Sequence, residues 1–506
     1  MVFSLASISL ASVVAALVIF KLLKNMVCPS PTTLPCLPSF PIMGSLLSLG
    51  GTTSPHLLFT RLGHKYGDLF GLYLGPHYTV VINNFKHAKE ILLHKGKVFA
   101  GRPQMVTTAL LSRDGKDIAF ADYGPLWKFH RKLVHSAFTM FGEGASKLET
   151  IVCQEVSSLC SFLMDNLETP LDPGLGLSQA ITNVVCTLVF NSKYQPGDSE
   201  LQRVIDYNNS IVETIARGSL VDIFPWLKVF PNKDLKKLNK CIQVRDELLT
   251  QKLEEHKATY CMSETRDLMD ALLRAQRSPM ESRGLEETSF SDDHVLMIAA
   301  DAFGAGVETT ATTLKWMIAF LLHYPEVQKK IQQEIDEQIG WNRHPGLSDR
   351  RLLPYLECTL NEVLRIRPVA PLLIPHVALE NTSIGEHVIP KGTRVVVNMW
   401  SIHHDPQEWE DPDSFIPERF LDSEGQRFSP PAFIPFGAGP RVCIGESLAK
   451  LELFLFTSWL LQQFSFFCPP GTPMPNLEGR YGVVLQPQSY TVCVRSRHDW
   501  RTKNKE

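Results

Sequence analysis

The ten residues Phe436-Gly-Ala-Gly-Pro-Arg-Val-Cys443-Ile-Gly445 set one cysteine among three glycines. Glycine allows a close approach to the backbone, so this frame is suited to a group held at the sulfur of Cys443. An intracellular cysteine thiolate can bind haem iron and help it to activate dioxygen. The alternative is a structural thiol, since free cysteine is among the most buried residue types.

Composition limits the classes of protein that the chain can represent. Its 506 residues are 44% hydrophobic, its net charge is −3, and its 11 cysteines include no C-x-x-C spacing. A nearly neutral chain has no bulk positive charge to attract nucleic acid. The cysteine spacing argues against a zinc knuckle and favours free thiols in a reducing compartment. We expect one large catalytic unit with a short N-terminal extension.

The N-terminus has the pattern of a membrane anchor. Residues 2–20 contain no charged side chain, and Lys21 and Lys24 follow. A helix of that length spans about 30 Å, which is one bilayer core. A cleaved signal peptide is the alternative, but no basic residue precedes the apolar run. We predict a single-pass anchor at 1–24, in the endoplasmic reticulum membrane, with the body in the cytosol.

The rest of the chain divides into two parts. Residues 25–48 contain five prolines and predict an extended, proline-rich hinge. Residues 49–506 form the predicted catalytic domain, mainly α with minor β. Strand-like runs lie at 66–100, 391–400 and 481–495, and helical patterns dominate between about 125 and 365.

One long helix is predicted from Ser291 to His323, before Pro325. It contains Gly304 and Gly306, which each cost a helix about 1 kcal/mol relative to alanine. A helix tolerates that cost where something packs close to its backbone. Thr309 can bond a backbone carbonyl, and with Glu308 it could relay protons to dioxygen. The alternative is a helix whose small residues pack against a neighbouring helix.

These two segments resemble motifs of one family. Residues 436–445 read F-x-x-G-x-R-x-C-x-G and residues 305–309 read A-G-x-E-T; they are similar to the haem-binding loop and the oxygen-activation motif of the cytochrome P450 family. The resemblance implies the cytochrome P450 fold and haem b, with Phe436 beside the haem and Cys443 as axial ligand of its iron. It also implies that Thr309 and Glu308 are catalytic.

The resemblance implies further roles for arginines and their partners. Glu362 and Arg365, with Arg419 of a P-E-R-F run, are similar to a structural triad of the family. Haem carries two propionates, and carboxylates favour Arg, His and Trp N–H donors. Five residues align with propionate-binding positions: Arg102, Trp127, Arg131, His376 and Arg441.

Several stretches are most similar to the steroid 17-alpha-hydroxylase/17,20-lyase group within the family. They are residues 117–122, 218–228, 230–233, 301–310 and 367–376. The resemblance implies hydroxylation of progesterone or pregnenolone in steroid hormone synthesis. Asn208 would receive the A-ring oxygen of the steroid and Arg245 would assist it. The apolar pocket would be lined by Ala119, Phe120, Ala305, Val369, Ala370, Ile374, Val483 and Val484.

One position departs from the group. Asn361 stands where relatives that cleave the 17,20 bond carry a basic residue that supports cytochrome b5 action, whereas Arg350 keeps a second such position. This departure predicts a hydroxylase with little lyase activity, similar to the second form of the enzyme found in fish.

Electrons must come from another protein. Gly437 and Gly439 are not followed by a third glycine at 442, so they do not form a dinucleotide fingerprint. The resemblance implies NADPH-cytochrome P450 reductase as the donor, so that NADPH acts only indirectly, and cytochrome b5 as a further partner. A basic docking face could comprise Arg131, Lys132, Arg350, Arg351 and Lys450. The alternatives are a monooxygenase of another steroid or of xenobiotics, a haem-thiolate isomerase, and a haem-thiolate binding protein without turnover.

Overall fold

The structure is a computed structural model that describes residues 31–51, 53–142, 146–195, 197–216, 219–277, 290–482 and 484–497. The predicted anchor at 1–24, the first part of the hinge and Val483 lie outside the described residues. Within them, one helix, Pro173–Phe190, is long and apolar enough to cross a membrane. Because 67% of its window is buried inside the protein, we assign it to the core.

Helices make up most of the described chain, as the sequence predicts. Their bounds are α1 Pro55–Tyr66, α2 Phe85–Lys89, α3 Val106–Ser112, α4 Pro125–Gly142, α5 Ser146–Asp165, α6 Pro173–Phe190, α7 Ser199–Ala216, α8 Leu220–Ile223, α9 Lys233–Thr259, α10 Leu268–Arg277, α11 Asp292–His323, α12 Pro325–Gln338, α13 Pro354–Ile366, α14 Met399–His403 and α15 Glu446–Gln463.

Small sheets account for the minor β content. The strands are β1 Leu69–Leu74, β2 His77–Ile82, β3 His376–Val377, β4 Thr382–Ile384, β5 His387–Ile389, β6 Arg394–Val397, β7 Phe464–Phe467 and β8 Cys493–Ser496. One sheet has the order β1-β2-β6-β3, and β4-β5 and β7-β8 are pairs. The predicted strand region at 66–100 is only partly sheet. After β2, Asn84 caps α2 by accepting from the His87 N–H (3.1 Å), and the chain becomes helical.

The described part of the predicted hinge packs against the body. The Leu37 N–H donates to the Gly71 carbonyl of β1 (3.0 Å), and the Gly71 N–H donates to the Pro35 carbonyl (2.8 Å). Leu34 and Leu37 are buried. The globular body therefore begins before residue 49, because this proline-rich segment extends the edge of the sheet.

The long helix predicted at 291–323 is α11, and it runs through the core. It begins after Ser291, whose backbone N–H donates to His294 Nδ1 (3.1 Å), and it ends before Pro325. Its most extensive contact is with α6. A Cβ atom at Gly306 would lie 3.2 Å from Val185 Cγ2 of α6. This glycine thus serves helix packing, the alternative that the sequence left open.

Candidate functional site

The segment around Cys443 forms a tight loop that leads into α15. Gly437 and Gly439 have φ angles of 72° and 71°, which favour glycine. A Cβ atom at Gly439 would also collide with the Leu92 carbonyl oxygen. The Cys443 N–H donates to the Phe436 carbonyl (2.9 Å). The loop is therefore held rigidly, with its cysteine at the start of the helix.

Cys443 is surrounded by protein and yet has accessible surface. Burial raises the pKa of its thiol, whereas the residue is exposed by surface area. The two observations agree if the sulfur borders an internal space. A metal ion bound there would remove the thiol proton outright.

The helix α15 that follows this loop packs against α11. At that contact Glu452 of α15 hydrogen-bonds Thr310, and burial raises the pKa of Glu452 to about 8. Its Oε1 atom is buried without a hydrogen-bond partner among the described residues. A neutral carboxyl group thus joins the cysteine-bearing element to the turn that contains Thr309.

Thr309 and Glu308 point to different partners. The Thr309 hydroxyl donates to the Ala305 carbonyl (2.7 Å), and Ala305 is exposed on an otherwise largely buried helix. Glu308 is buried, and its Oε1 atom accepts from Gln486 Nε2 (2.5 Å) and Thr312 Oγ1 (3.1 Å). The helix assignment is continuous through this turn, and the hydrogen bonds of the two side chains go to different partners.

Arg102 and Arg441 are the centre of a buried cationic cluster. Burial, together with the charge of Arg441, lowers the pKa of Arg102 to about 9. Burial also lowers the pKa of Arg441 to about 10. The Arg441 guanidinium lies 4.2 Å from the centroid of the Trp127 ring. The charges of Asp117 and Asp122 oppose the lowering of the pKa in both arginines, and such a cationic cluster in a largely dry site favours a further anion.

The other two proposed propionate residues lie at the edges of this cluster. Arg131 Nη2 donates to the Val442 carbonyl (2.5 Å), directly before Cys443. His376 Nδ1 lies 2.7 Å from the Phe99 carbonyl, so this nitrogen carries the proton. Burial, with the charge of Arg102, lowers the pKa of His376 to about 3. A neutral His376 offers only a lone pair at Nε2, so it would bind a carboxylate only if a proton accompanied it.

The two predicted polar contacts of the steroid lie inside the protein. Asn208 and Arg245 are buried, which argues against Asn208 as a surface residue. A Cβ atom at Gly304 would lie 3.4 Å from Asn208 Oδ1, so this amide rests against α11. Arg245 Nη1 donates to the Leu111 carbonyl (2.8 Å), and Arg245 pairs with Asp246 (2.7 Å).

Two of the apolar pocket candidates, Val369 and Val484, are brought together from distant segments. The Leu485 N–H donates to the Val369 carbonyl (2.9 Å), which places Val484 beside Val369; both side chains are buried. Ala119, Phe120 and Ala370 are half-buried. Ile374 is 40% exposed, and Ala305 is exposed on α11, as would suit residues that border a cavity.

The predicted triad is assembled in full. Arg365 forms two parallel hydrogen bonds to Glu362 (2.7 and 2.8 Å), and both side chains have no exposed surface. Arg419 Nε donates to Glu362 Oε1 (3.2 Å). Arg365 also donates to the His403 and Pro412 carbonyls (2.7 and 2.8 Å). This network ties α13 to the segment that precedes the cysteine loop.

Two members of the predicted docking face are already paired. Arg350 lies 2.8 Å from Glu357, and Lys450 lies 2.6 Å from Glu446. The positive charge that they offer to a partner is therefore reduced by neighbouring carboxylates. Sequence reasoning also missed the roles of three acids, Asp117, Asp301 and Glu452. The partners of Asp301 and Glu452 lie far away along the chain.

The comparisons with known proteins agree with this geometry. A sequence model described as Cytochrome P450 matches residues 34–494. A Gallus gallus protein named steroid 17-alpha-hydroxylase/17,20 lyase is 59% identical over 92% of this chain and 92% of its own. An Ictalurus punctatus protein of the same name is 55% identical over 92% of this chain and 91% of its own. A solved structure described as "Zebra fish cytochrome P450 another structure with Progesterone" is 57% identical, has a TM-score of 0.80, and covers 88% of this chain and 100% of that one.

Proposed function

Because this chain belongs to the cytochrome P450 family, we propose that it is a haem-thiolate monooxygenase that hydroxylates progesterone and pregnenolone at the 17-alpha position. The observation that carries the proposal is the rigid Cys443 loop in a chain 55–59% identical to enzymes named for this reaction. The family implies haem, and we propose that it is haem b.

The residues fit such a cofactor. Cys443 supplies a sulfur on an unstrained glycine frame, and Phe436 lies across from it in the same loop. Arg102, Arg441, Trp127 and Arg131 now donate to backbone carbonyls, and their N–H groups would have to share these bonds with two propionates or exchange them. His376 would need a proton to join them. Thiolate-ligated haem, when bound, supplies the oxygen-activating chemistry of the reaction.

The chain itself has three tasks in the mechanism. Thr309 holds a hydroxyl proton at Oγ1 that it can pass on, since its present acceptor is only the Ala305 carbonyl. Glu308, held by Gln486 and Thr312, would supply a proton to that region by a change of side-chain conformation or through water. The apolar wall excludes water from the reacting carbon.

Asn208 and Arg245, at the polar end of the pocket, would orient the steroid. Asn208 rests against Gly304 and presents an amide that can bond the A-ring oxygen, and Arg245 supports it. A flat apolar body with one or two polar contacts is the usual pattern for a small-molecule site. Fixing the far end of the steroid selects the carbon that reacts.

We propose that electrons arrive from NADPH-cytochrome P450 reductase, and that the protein is held at the endoplasmic reticulum by residues 1–24 with its body in the cytosol. A surface anchor suits substrates that partition into lipid. Arg131, Lys132 and Arg351 are the members of the proposed docking face that form no ion pair within the described residues.

A product assay tests the proposed reaction. With reductase and NADPH, progesterone and pregnenolone should yield their 17-alpha-hydroxy derivatives. Because Asn361 replaces a basic residue, we expect at least about a tenfold lower rate of 17,20 cleavage than of hydroxylation, with or without cytochrome b5. Asn361→Lys should raise the cleavage rate in the presence of cytochrome b5. Efficient cleavage by the unaltered protein would contradict the loss of lyase activity, and absence of hydroxylation would contradict the function.

Replacement of Thr309 tests the proton role. Thr309→Ala should lower product formation by about 10²-fold, the usual scale of one proton-transfer group, while NADPH is still consumed and hydrogen peroxide accumulates. Thr309→Ser keeps the hydroxyl and is the matched control. If the alanine variant couples NADPH to product as well as the serine variant does, the proton role is wrong.

A further inference from the structure

Residues 117–121, here called the strap, lie between the long helix and the cationic cluster. Two of their backbone N–H groups are held by one carboxylate of α11. Asp301 Oδ2 accepts from the Ile118 N–H (2.8 Å) and the Ala119 N–H (2.9 Å). Asp301 is one turn before Ala305, so the strap is bound to the part of α11 assigned to the steroid pocket.

The next two N–H groups of the strap are held by its own first residue. Asp117 Oδ2 accepts from Phe120 (3.0 Å), and Asp117 Oδ1 accepts from Ala121 (2.8 Å). All four N–H groups from 118 to 121 therefore end on two carboxyl groups. Such complete use of backbone donors makes the strap rigid without regular secondary structure.

The opposite side of the strap is bound by the proposed propionate residues. Ala119 O accepts from Arg102 Nε (3.0 Å), Ala121 O from Arg441 Nη2 (2.7 Å), and Ile118 O from Trp127 Nε1 (2.9 Å) and Arg441 Nη1 (3.2 Å). The five residues of the strap are thus bound by carboxyl groups on one side and by guanidinium and indole N–H donors on the other.

Peptide planarity connects the two sides. The Ala119 N–H and the Ile118 carbonyl belong to one peptide unit, which is flat and resists twisting. Asp301 fixes the N–H end, and Trp127 and Arg441 contact the carbonyl end. If Asp301 releases its end, the unit can turn and the donors of Trp127 and Arg441 lose their common acceptor. The next unit links Asp117 to Arg102 in the same way.

Resting on the proposed function, we propose that Asp301 is a positioning residue that, through the peptide unit 118–119, sets both the pocket wall at Ala119 and Phe120 and the orientation of Arg441 and Trp127. Steroid binding on one side of the strap is thereby coupled to propionate binding on the other. Neither effect requires Asp301 to touch the steroid or the haem.

Charges around Asp301 are compatible with this role. Burial raises the pKa of Asp301 to about 6, and Arg245 on α9 opposes that rise. Burial and the charge of Asp301 raise the pKa of Asp117 to about 8. A proton held by one of the two carboxyl groups would relieve their mutual repulsion while both still hold the strap.

The test compares Asp301→Ala with Asp301→Asn in the full-length holoenzyme. The readouts are the dissociation constant of progesterone by optical titration, the haem reduction potential, and KM against kcat. Asp301→Ala should raise the dissociation constant and KM about tenfold or more and shift the potential. Asp301→Asn keeps an acceptor oxygen for both N–H groups, so it should stay within about threefold of the unaltered protein. Asp172→Ala, which removes a carboxylate that caps α6 by accepting from the Gly174 N–H (2.7 Å), is the matched control and should change none of these readouts.

A second variant keeps the inference testable if Asp301→Ala does not fold. Trp127→Phe removes the donor at the far end of the same peptide unit and should also weaken progesterone binding, by about threefold or more. The inference is overturned if both variants bind progesterone normally, or if Asp301→Asn is as impaired as Asp301→Ala, which would assign the effect to charge. Failure of the unaltered protein to bind or hydroxylate progesterone would instead count against the proposed function.

Discussion

Cys443→His protein is expected to lose the long-wavelength absorption band of the reduced carbon monoxide complex and all measurable hydroxylation. That band reports a thiolate bound to haem iron, and imidazole is a neutral ligand that donates less electron density. Histidine at this position can still bind iron. The haem content of the purified variant therefore distinguishes loss of haem from loss of the thiolate ligand. The measurements are the difference spectrum, haem content and product yield.

The matched control is Cys261→Ser, because Cys261 is an exposed free cysteine outside the glycine frame. It should keep the band, the haem content and the activity. Survival of the band in Cys443→His would show that another residue holds the iron, and the proposed site would then be wrong.

Arg365→Leu is expected to lower the free energy of unfolding by about 3–5 kcal/mol, the cost of leaving a buried charge without its partner. Glu362 would keep only Arg419 and the Ile416 N–H (2.9 Å), and the His403 and Pro412 carbonyls would lose their donor. Since this network anchors the segment before the cysteine loop, haem retention should fall as well. Denaturant unfolding of the holoenzyme and haem content after purification are the measurements.

Arg495→Leu provides the comparison for that experiment. Arg495 and Glu168 form a 2.7 Å ion pair whose side chains are 64% and 52% exposed. Solvent-exposed pairs contribute about 0.2–1 kcal/mol, so this variant should unfold nearly as the unaltered protein does. Equal losses in the two variants would mean that the triad has no special structural role.

Much of the site could be anticipated from short motifs. Short motifs with a recognisable spacing identify the cysteine loop, the glutamate and threonine of α11 and the members of the triad. The sequence also offered two explanations for the small residues of α11, and packing against a neighbouring helix is the one that Gly306 and Val185 show. The cysteine loop and the pair Glu308 and Thr309 are made of neighbours along the chain, which is why a local pattern could indicate them.

Other features could not be read in this way. The described part of the hinge pairs with β1, although its prolines suggest a free spacer. Glu308 is held by Gln486, 178 residues away. The Nδ1–H group of His376 donates to the Phe99 carbonyl, and burial keeps the ring neutral. The sequence alone presents His376 as a candidate cation and reveals neither fact.

The sequence by itself determined the chemistry: one cysteine in a glycine frame, an acid and a hydroxyl on a long helix, and the class of protein that combines them. Only the tertiary structure decided how these parts are held. Asp301, the strap and the arginines come from four separate segments, and no spacing relates them. Their hydrogen bonds exist because folding brings unsatisfied backbone groups and buried charges together, and each must then find a partner.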